Sequence, residues 1–270
     1  MKTTMNKLFA FVFLSLFLTS NISICKGQVN QPDDKKNIPR MPRFTPAQLD
    51  SLRKVMDERL RKDWAFLKRY SDENKNLPAV APGEKRVVFM GNSITEFWKT
   101  IDGEFFIKNK SYIDRGISAQ TTPQMLVRFR DDVINLNPSA VVILAGTNDI
   151  AGNTGPITLE SIFGNIVSMA ELAKANKIKV ILCSVLPVYN YSWSPGLEPA
   201  EKIVKLNAML QSYSKKNKMV YVDFHSALAD EKKGMKAEYS PDGVHPNLKG
   251  YKIMDDLVEK AIATTLKIKK

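Results

Sequence analysis

Four short motifs of this chain hold side chains suited to nucleophilic catalysis. They are Gly91-Asn92-Ser93, Arg115-Gly116, Gly146-Thr147-Asn148-Asp149 and Asp242-Gly243-Val244-His245. Together they supply a serine, an amide side chain, an aspartate and a histidine. A serine hydroxyl becomes a good nucleophile when a base removes its proton, and N–H donors stabilise the oxyanion that its attack creates. The motifs therefore predict hydrolysis of an ester.

The general base must come from only two histidines, His225 and His245. His245 follows Asp242 by three residues, and Gly243 allows a tight turn that brings the carboxylate to the imidazole. Such a pair would fix the tautomer of the histidine and stabilise its charged form. The alternative is an ordinary Asp-Gly turn in which Asp242 is a cap. His225 has no comparable partner, and we interpret it as a surface or capping residue.

Ser93 and Asn148 each follow a predicted strand, where a helix cap or a turn residue is the simpler role. Taken with the histidine pair, we predict Ser93 as the nucleophile. The backbone N–H groups of Ser93 and Gly116 and the side-chain amide of Asn148 are the predicted oxyanion donors. Asp149 is interpreted as a turn or supporting residue. The nucleophile motif lacks the second glycine of Gly-x-Ser-x-Gly, which disfavours the usual α/β-hydrolase arrangement.

Other classes of chemistry have little support in the sequence. Two distant histidines without a cysteine pair do not form an ordinary zinc site, and there is no glycine-rich phosphate loop followed by lysine, so neither metal nor cofactor is expected. The net charge is +12 and the pI about 9.5. No basic run is interleaved with aromatic residues, so no nucleic-acid partner is expected. The favoured interpretation is a solvated basic surface, and attraction to anionic polymers or acidic sugars is the second.

The first residues are typical of an export signal. Lys2 and Lys7 precede an apolar run over 8–18 that is shorter than the roughly 20 residues a membrane-spanning helix needs. We predict a signal peptide over 1–27 and no transmembrane helix. Simple cleavage near Cys25 is one possibility, and a lipid anchor on Cys25 is the other, although Ile24 is bulky for that position. The second cysteine, Cys183, is expected to pack in the core.

The rest of the chain divides into a linker over 28–43, a helical extension and loop over 44–83, and a hydrolase domain over 84–270. The extension is predicted to be helical from Thr45 to Tyr70. From residue 86 onward predicted strands alternate with helices, which is typical of a parallel sheet covered on both faces. The strands are expected at 86–90, 111–114, 140–145, 179–185 and 219–222, and the main helices at 123–136, 159–176, 198–216 and 247–266. Ligands of such sheets bind beyond the carboxyl ends of the strands, where three of the motifs lie.

In this order the four motifs resemble those of the SGNH (GDSL-like) hydrolase family, from the first predicted strand to the end of the chain. The resemblance implies an α/β fold: a flavodoxin-like three-layer α/β/α sandwich with a five-stranded parallel sheet. It also implies the nucleophile Ser93, the base His245 supported by Asp242, and oxyanion partners at Gly116 and Asn148.

Two positions depart from the family pattern, namely Asn92 where aspartate is usual and Asp114 where asparagine is common. Neither supplies a reacting atom, so the departures concern loop geometry. The segments 121–126 and 145–156 are similar to those of the small-ester acetylhydrolase branch, which includes the platelet-activating-factor acetylhydrolase catalytic subunit and bacterial carbohydrate O-acetylesterases.

These observations predict an exported serine esterase that removes short acyl groups, foremost acetyl, from a small ester or an acetylated carbohydrate. A lysophospholipase or thioesterase acting on longer chains is one alternative, and a non-catalytic binding module of the same fold is another. Tyr191 and Trp193 are predicted to form a wall of the substrate site, with packing at the domain edge as the alternative. The oligomeric state is left open.

Overall fold

The computed structural model describes residues 45–268, which form two compact units. One unit ends at Arg61 and the other begins at Lys62. The predicted signal peptide, the predicted linker and Cys25 lie outside the described residues and stay predictions.

Helix α1 (Pro46–Lys62) begins where the sequence predicts. The hydroxyl of Thr45 accepts a hydrogen bond from the backbone N–H of Gln48, and the Gln48 side chain accepts one from the N–H of Thr45. This reciprocal pair satisfies N–H groups that have no partner inside the helix. The expected cap at Thr45 is therefore present.

The end of this helix differs from the prediction, which extended it to Tyr70. The carboxylate of Asp63 accepts hydrogen bonds from the N–H groups four and five residues later, at 2.8 and 3.0 Å. Phe66 has a left-handed backbone with φ of 58°. A helix cannot continue through this conformation, so residues 63–70 form turns, and a separate short helix α2 (Ser71–Asn76) follows where a loop was expected.

The sheet consists of five parallel strands in the order β2-β1-β3-β4-β5. The strands are β1 (Val87–Gly91), β2 (Tyr112–Gly116), β3 (Ala140–Leu144), β4 (Lys179–Cys183) and β5 (Val220–Val222). Every residue of β1 and β3 is buried. Their unbroken apolar sequences are explained by helices on both faces of the sheet. Cys183 is 1% exposed, as expected of a core residue.

Helices form the two outer layers. They are α3 (Ser93–Ile101), α4 (Gly103–Lys108), α5 (Thr122–Asp132), α6 (Thr147–Ile150), α7 (Leu159–Ala175), α8 (Pro199–Lys216), α9 (Phe224–Leu228) and α10 (Leu248–Leu266), with a 3₁₀ turn at Ile134–Leu136. One face of the sheet packs on apolar residues of α5, α7 and α8, and the other on those of α3, α4 and α10. The predicted α/β/α fold is confirmed.

The strand register places the motifs at one edge. Gly91 at the end of β1 pairs with Gly116 on one side and with Leu144 on the other. The loops that follow β1, β2 and β3 therefore leave the sheet side by side at its carboxyl-terminal edge. Within residues 45–268, no helix combines the length and the apolar character needed to cross a membrane.

Candidate active site

Ser93 is the first residue of α3, directly after a tight passage from strand to helix. The Asn92 side chain caps the helix by accepting a hydrogen bond from the N–H of Ile94 at 3.0 Å. A Cβ atom at Gly91 would lie 2.0 Å from the Thr95 hydroxyl oxygen, so only glycine fits there. Ser93 itself is 7% exposed. Its position at a helix N-terminus favours negative charge in front of its backbone N–H.

Ser93 and His245 meet although 152 residues separate them. The Oγ atom of Ser93 lies 2.9 Å from Nε2 of His245, and Nδ1 of the same ring lies 2.7 Å from Oδ2 of Asp242. The other carboxylate oxygen of Asp242 accepts hydrogen bonds from the backbone N–H groups of Val244 and His245. Gly243 has φ of 78°, which lets the chain fold back within three residues.

The charge on Asp242 determines what this arrangement can do. Burial raises the pKa of Asp242, but the hydrogen bond and charge of His245 outweigh burial and lower that pKa to about 2. Asp242 is therefore ionised at neutral pH and holds a proton on Nδ1 of His245. In the neutral imidazole, the lone pair of Nε2 then faces the Ser93 hydroxyl, which is the geometry for removing its proton. The ring of Phe97, 5.5 Å from the imidazole between centroids, packs beside it.

Asn148 lies in the short helix α6, which follows β3. Gly146, before it, has φ of 120°, a conformation that glycine favours. The Nδ2 atom of Asn148 donates one hydrogen bond to the carbonyl of Gln120 at 3.0 Å, and its second N–H has no partner among residues 45–268. The adjacent Asp149 is buried, and its carboxylate accepts hydrogen bonds from the backbone N–H and the hydroxyl of Thr122. Asp149 thus joins α6 to α5, and burial raises its pKa to about 6.

The structure gives the N–H of Gly116 a partner inside the protein. This N–H donates to Oδ1 of Asp114 at 2.7 Å. A Cβ atom at Gly116 would lie 2.2 Å from the Glu96 nitrogen, so glycine is needed for β2 to approach α3. Burial raises the pKa of Asp114 to about 7, and the hydrogen bond from Gly116 only partly opposes this. The N–H predicted as an oxyanion donor is therefore already used.

Ala119 is a residue that sequence reasoning missed. It lies in the loop over 117–121, next to the Gln120 carbonyl that binds Asn148. Its φ is 65°, which is uncommon for a residue with a Cβ. Its N–H has no hydrogen-bond partner among the residues that the structure describes, and its carbonyl accepts Nδ2 of Asn153. Its residue type carries no signal for this conformation.

The two predicted wall residues have different environments. Tyr191 is fully buried, and its hydroxyl is hydrogen-bonded to that of Thr147 at 2.8 Å. It cannot contact a substrate, so this prediction is wrong: a satisfied hydroxyl allowed the ring to enter the core. Trp193 is half-buried on the Tyr191 ring, and its indole N–H donates to Asn153 at 3.2 Å. Because Asn153 also binds Ala119, Trp193 lies beside the 117–121 loop.

His225 takes part in none of the hydrogen bonds of this cluster among the described residues. It lies in α9, where its N–H donates to the Ser184 hydroxyl. Burial lowers the pKa of its imidazole, and its Nε2 atom has no partner within the described chain.

Residues 63–76, which we call the brace, contact the 117–121 loop and its neighbours. The side chains of Gln120 and Gln124 donate to the carbonyls of Ala65 and Trp64, each at 2.8 Å. The hydroxyl of Tyr70 donates to the Gly116 carbonyl. These contacts join an element that precedes the sheet to the loop that carries Ala119.

Glu96 links the brace to α3, the helix that begins with Ser93. It lies on α3, three residues after Ser93, and forms an ion pair with Arg69 of the brace at 3.1 Å. Its other oxygen accepts the N–H of Ser118 at 2.7 Å and the Ser118 hydroxyl. One carboxylate on α3 therefore contacts both the brace and the 117–121 loop.

Arg128 binds the ends of β1 and β2 through hydrogen bonds. Its side chain is fully buried and donates to the carbonyls of Gly91 and Arg115 at 3.0 and 2.8 Å. It also donates to the Gln120 side chain and to the carboxylate of Asp132. A buried guanidinium with all these partners fixes the ends of β1 and β2. In the part of the chain that is described, no cluster of three or more histidine, cysteine or acidic residues is placed to hold a metal ion.

Comparisons with known proteins match most of the unit that begins at Lys62. Residues 89–253 match the GDSL-like Lipase/Acylhydrolase family. A crystal structure of a proposed acylhydrolase from Bacteroides fragilis is 52% identical, with a TM-score of 0.74, and the match covers 76% of this chain and 99% of that one.

Two curated relatives are more distant. An acetylxylan esterase from Xylanibacter ruminicola is 26% identical over 70% of this chain and 45% of its own length. The uncharacterised lipoprotein YqeF of Bacillus subtilis is 31% identical over 30% of this chain and 34% of its own. The match thus spans less than half the length of either curated relative. Because the family match covers more than half of the 270 residues, the chain belongs to the GDSL-like lipase/acylhydrolase family of carboxylic ester hydrolases, as the motifs predict.

Proposed function

We propose that this protein is an exported serine esterase that removes short acyl groups, foremost acetyl, from carbohydrate. The observation that carries the proposal is the contact of 2.9 Å between the Ser93 hydroxyl and His245, whose other nitrogen is held by Asp242. A hydroxyl, an imidazole and a carboxylate in this order are the groups required for acyl transfer through a covalent intermediate.

The reaction follows from these three groups. His245 removes the proton of Ser93 as Oγ attacks the ester carbonyl, and Asp242 stabilises the imidazolium. The imidazolium then gives its proton to the leaving alcohol, and the acyl group stays on Ser93. Water attacks this ester while His245 accepts its proton, and His245 then returns that proton to Oγ of Ser93 as the carboxylic acid leaves.

The oxyanion of both tetrahedral intermediates needs N–H donors. We assign this role to the backbone N–H of Ser93, the second N–H of the Asn148 amide and the N–H of Ala119. Ala119 takes the place predicted for Gly116 because the N–H of Gly116 is bound to Asp114, whereas that of Ala119 has no partner in the described chain. Asn148 binds the next residue of the same loop, which supports placing these donors together.

The proposed substrate class rests on the surroundings and on a relative. Trp193, which is partly exposed beside the 117–121 loop, is the proposed contact for a sugar ring. The acetylxylan esterase relative supports an acetylated carbohydrate.

Export is proposed from residues 1–27, and the relative that is named a lipoprotein supports it. A lipid on Cys25 would anchor the protein, whereas cleavage after it would release the protein. The division into an extension over 44–83 and a catalytic domain over 84–270 is also a proposal, although the brace contacts the catalytic loops.

The test is hydrolysis of 4-nitrophenyl acetate by Ser93→Ala. We expect turnover to fall by about 10³-fold or more because the nucleophile is lost. Ser212→Ala, at an exposed position of α8, is the matched control and should retain full turnover. Turnover by Ser93→Ala comparable to the wild type would overturn the proposal. Comparing acetate, butyrate and octanoate esters, and acetate release from acetylated xylan, tests the acyl length and the substrate class.

A further inference from the structure

A basic groove lies at the edge of the sheet opposite to Ser93. Lys179 is the first residue of β4, and Lys218 precedes β5 by two positions. Lys174 and Lys177 lie at the end of α7 and just beyond it. These four lysines line an open groove of about 640 Å³. All four side chains are exposed.

Few negatively charged groups neutralise the lysines of the groove. No acidic residue lines it, and within residues 45–268 no ion pair is formed by Lys177, Lys179 or Lys218. Lys174 makes only a long contact, 3.4 Å, with the amide oxygen of Asn217. A cleft lined by one sign of charge focuses its field and concentrates ions of the opposite sign.

Helix dipoles offset only part of the positive charge of the four lysines. Helices α7, α8 and α10 end near the groove, and each helix C-terminus carries about half a negative charge. Three such ends amount to roughly −1.5, against four lysine charges. The groove therefore keeps a positive excess.

The floor of the groove is apolar and buried, formed by Ile178 and Val180. Thr265, on the last turn of α10, also lines the groove, but its Oγ1 atom is buried away from the surface. The charged groups that a ligand would meet are therefore the lysines.

We propose that this groove binds an acidic polysaccharide through its carboxylate groups. The choice of polysaccharide rests on the proposed function, because a polymer retained here would raise the local concentration of substrate for the same enzyme. The lining has no aromatic residue to stack on bases and no arginine to hold a phosphate with two hydrogen bonds, which disfavours nucleic acid. Lysines act as point charges and suit single carboxylates spaced along a chain.

The test compares two variants of equal charge in the full chain. The groove variant is Lys174→Gln/Lys177→Gln/Lys179→Gln/Lys218→Gln. The control variant changes four exposed lysines elsewhere, Lys75→Gln/Lys99→Gln/Lys202→Gln/Lys205→Gln. Binding to polygalacturonate is measured at about 0.02 M salt, where screening is weak. We expect the groove variant to bind at least about tenfold more weakly than the control.

Further measurements decide what is bound. Wild-type affinity should fall in about 0.5 M salt, and neutral xylan should not bind to the groove. Equal Kd values for the groove and control variants would overturn the proposal. Tighter binding of single-stranded DNA or of anionic phospholipid vesicles at the same lysines would overturn the assignment to polysaccharide. Ser93→Ala should bind polygalacturonate like the wild type, and the groove variant should hydrolyse 4-nitrophenyl acetate normally, so failure of the proposed activity is distinguished from failure of the groove.

Discussion

The two edges of the sheet differ in whether their charged side chains are buried and hydrogen-bonded or exposed. At the carboxyl-terminal edge, Arg128, Asp114 and Asp149 are buried, and each is satisfied by hydrogen bonds inside the protein. At the amino-terminal edge, Lys177 and Lys218 are exposed and make no ion pair among the described residues. Hydrogen bonds hold the charged groups of the carboxyl-terminal edge in place, whereas the lysines of the amino-terminal edge are accessible to a binding partner.

This difference sets how strongly each edge responds to substitution. Removing one member of a buried network leaves its partner without a hydrogen bond, at a cost of about 1–3 kcal/mol. Replacing an exposed lysine that makes no ion pair changes the stability by about 0.5 kcal/mol or less. Substitutions at the carboxyl-terminal edge should therefore change turnover or stability, whereas those at the amino-terminal edge should change binding of polyanions alone.

The largest expected effect is that of Asp242→Asn. An amide in place of the carboxylate favours the tautomer of His245 that cannot accept the proton of Ser93, so kcat should fall by about 10³–10⁴-fold. Steady-state hydrolysis of 4-nitrophenyl acetate measures this. The groove variant, measured beside it, should retain wild-type kcat. A loss below tenfold for Asp242→Asn would contradict the assigned role.

Asn148→Ala should have the next largest effect. Losing one oxyanion donor typically lowers kcat by about 10²–10³-fold with little change in KM. Asn148 also holds the Gln120 carbonyl, so the Tm of the variant must be measured to show that it is folded. If kcat of the folded variant is unchanged, this amide is no oxyanion donor.

Tyr70→Phe tests whether the brace positions the 117–121 loop. It removes the hydrogen bond to the Gly116 carbonyl and leaves the ring, which packs 4.6 Å from the guanidinium groups of Arg69 and Arg115. We expect kcat to fall by about fivefold to tenfold and KM to be unchanged, as for a net loss of about 1 kcal/mol.

Its control is Tyr213→Phe on α8, which should leave kcat as it is. A double-mutant cycle of Tyr70→Phe with Asn148→Ala should be non-additive if both act on the same loop. Additive effects would place the role of Tyr70 elsewhere.

Asp114→Asn should alter the pH dependence of stability. Because burial raises the pKa of Asp114 to about 7, against about 3.9 in an unfolded chain, the folded protein holds this proton more tightly. The stability from that proton is complete below about pH 4 and is lost as the pH rises to about 7.

Asparagine cannot ionise, so the Tm of Asp114→Asn relative to the wild type should rise between pH 5 and pH 8. Asp256→Asn, at an exposed position of α10, is the control and should show no such trend. A flat difference for Asp114→Asn would mean that Asp114 stays ionised.

The sequence was sufficient for the features that depend on local pattern. Apolar runs such as 140–144 predicted the buried strands, because both faces of a parallel sheet are covered. The pairing of Asp242 with His245 followed from a spacing of three and a glycine turn. The meeting of Ser93 with His245 followed only from motif order, since no local pattern encodes a contact across 152 residues.

The features that sequence reasoning missed depend on tertiary contacts. Nothing in its residue type marks Ala119 as left-handed, and the partner of the Gly116 N–H is a carboxylate that could equally have pointed elsewhere. The position of Tyr191 in the core depends on the Thr147 hydroxyl that satisfies it. Apolar spacing predicts that the first helix continues to Tyr70, because this spacing does not show that the Asp63 carboxylate ends the helix.

The central claim is that Ser93 forms the acyl-enzyme with His245 as its base. The most direct test is labelling with a fluorophosphonate, which phosphonylates an activated serine, followed by mass spectrometry of the peptides. The account predicts a label on Ser93 in the wild type and very slow labelling in His245→Ala. A label on another serine, or equal labelling rates in both proteins, would contradict it.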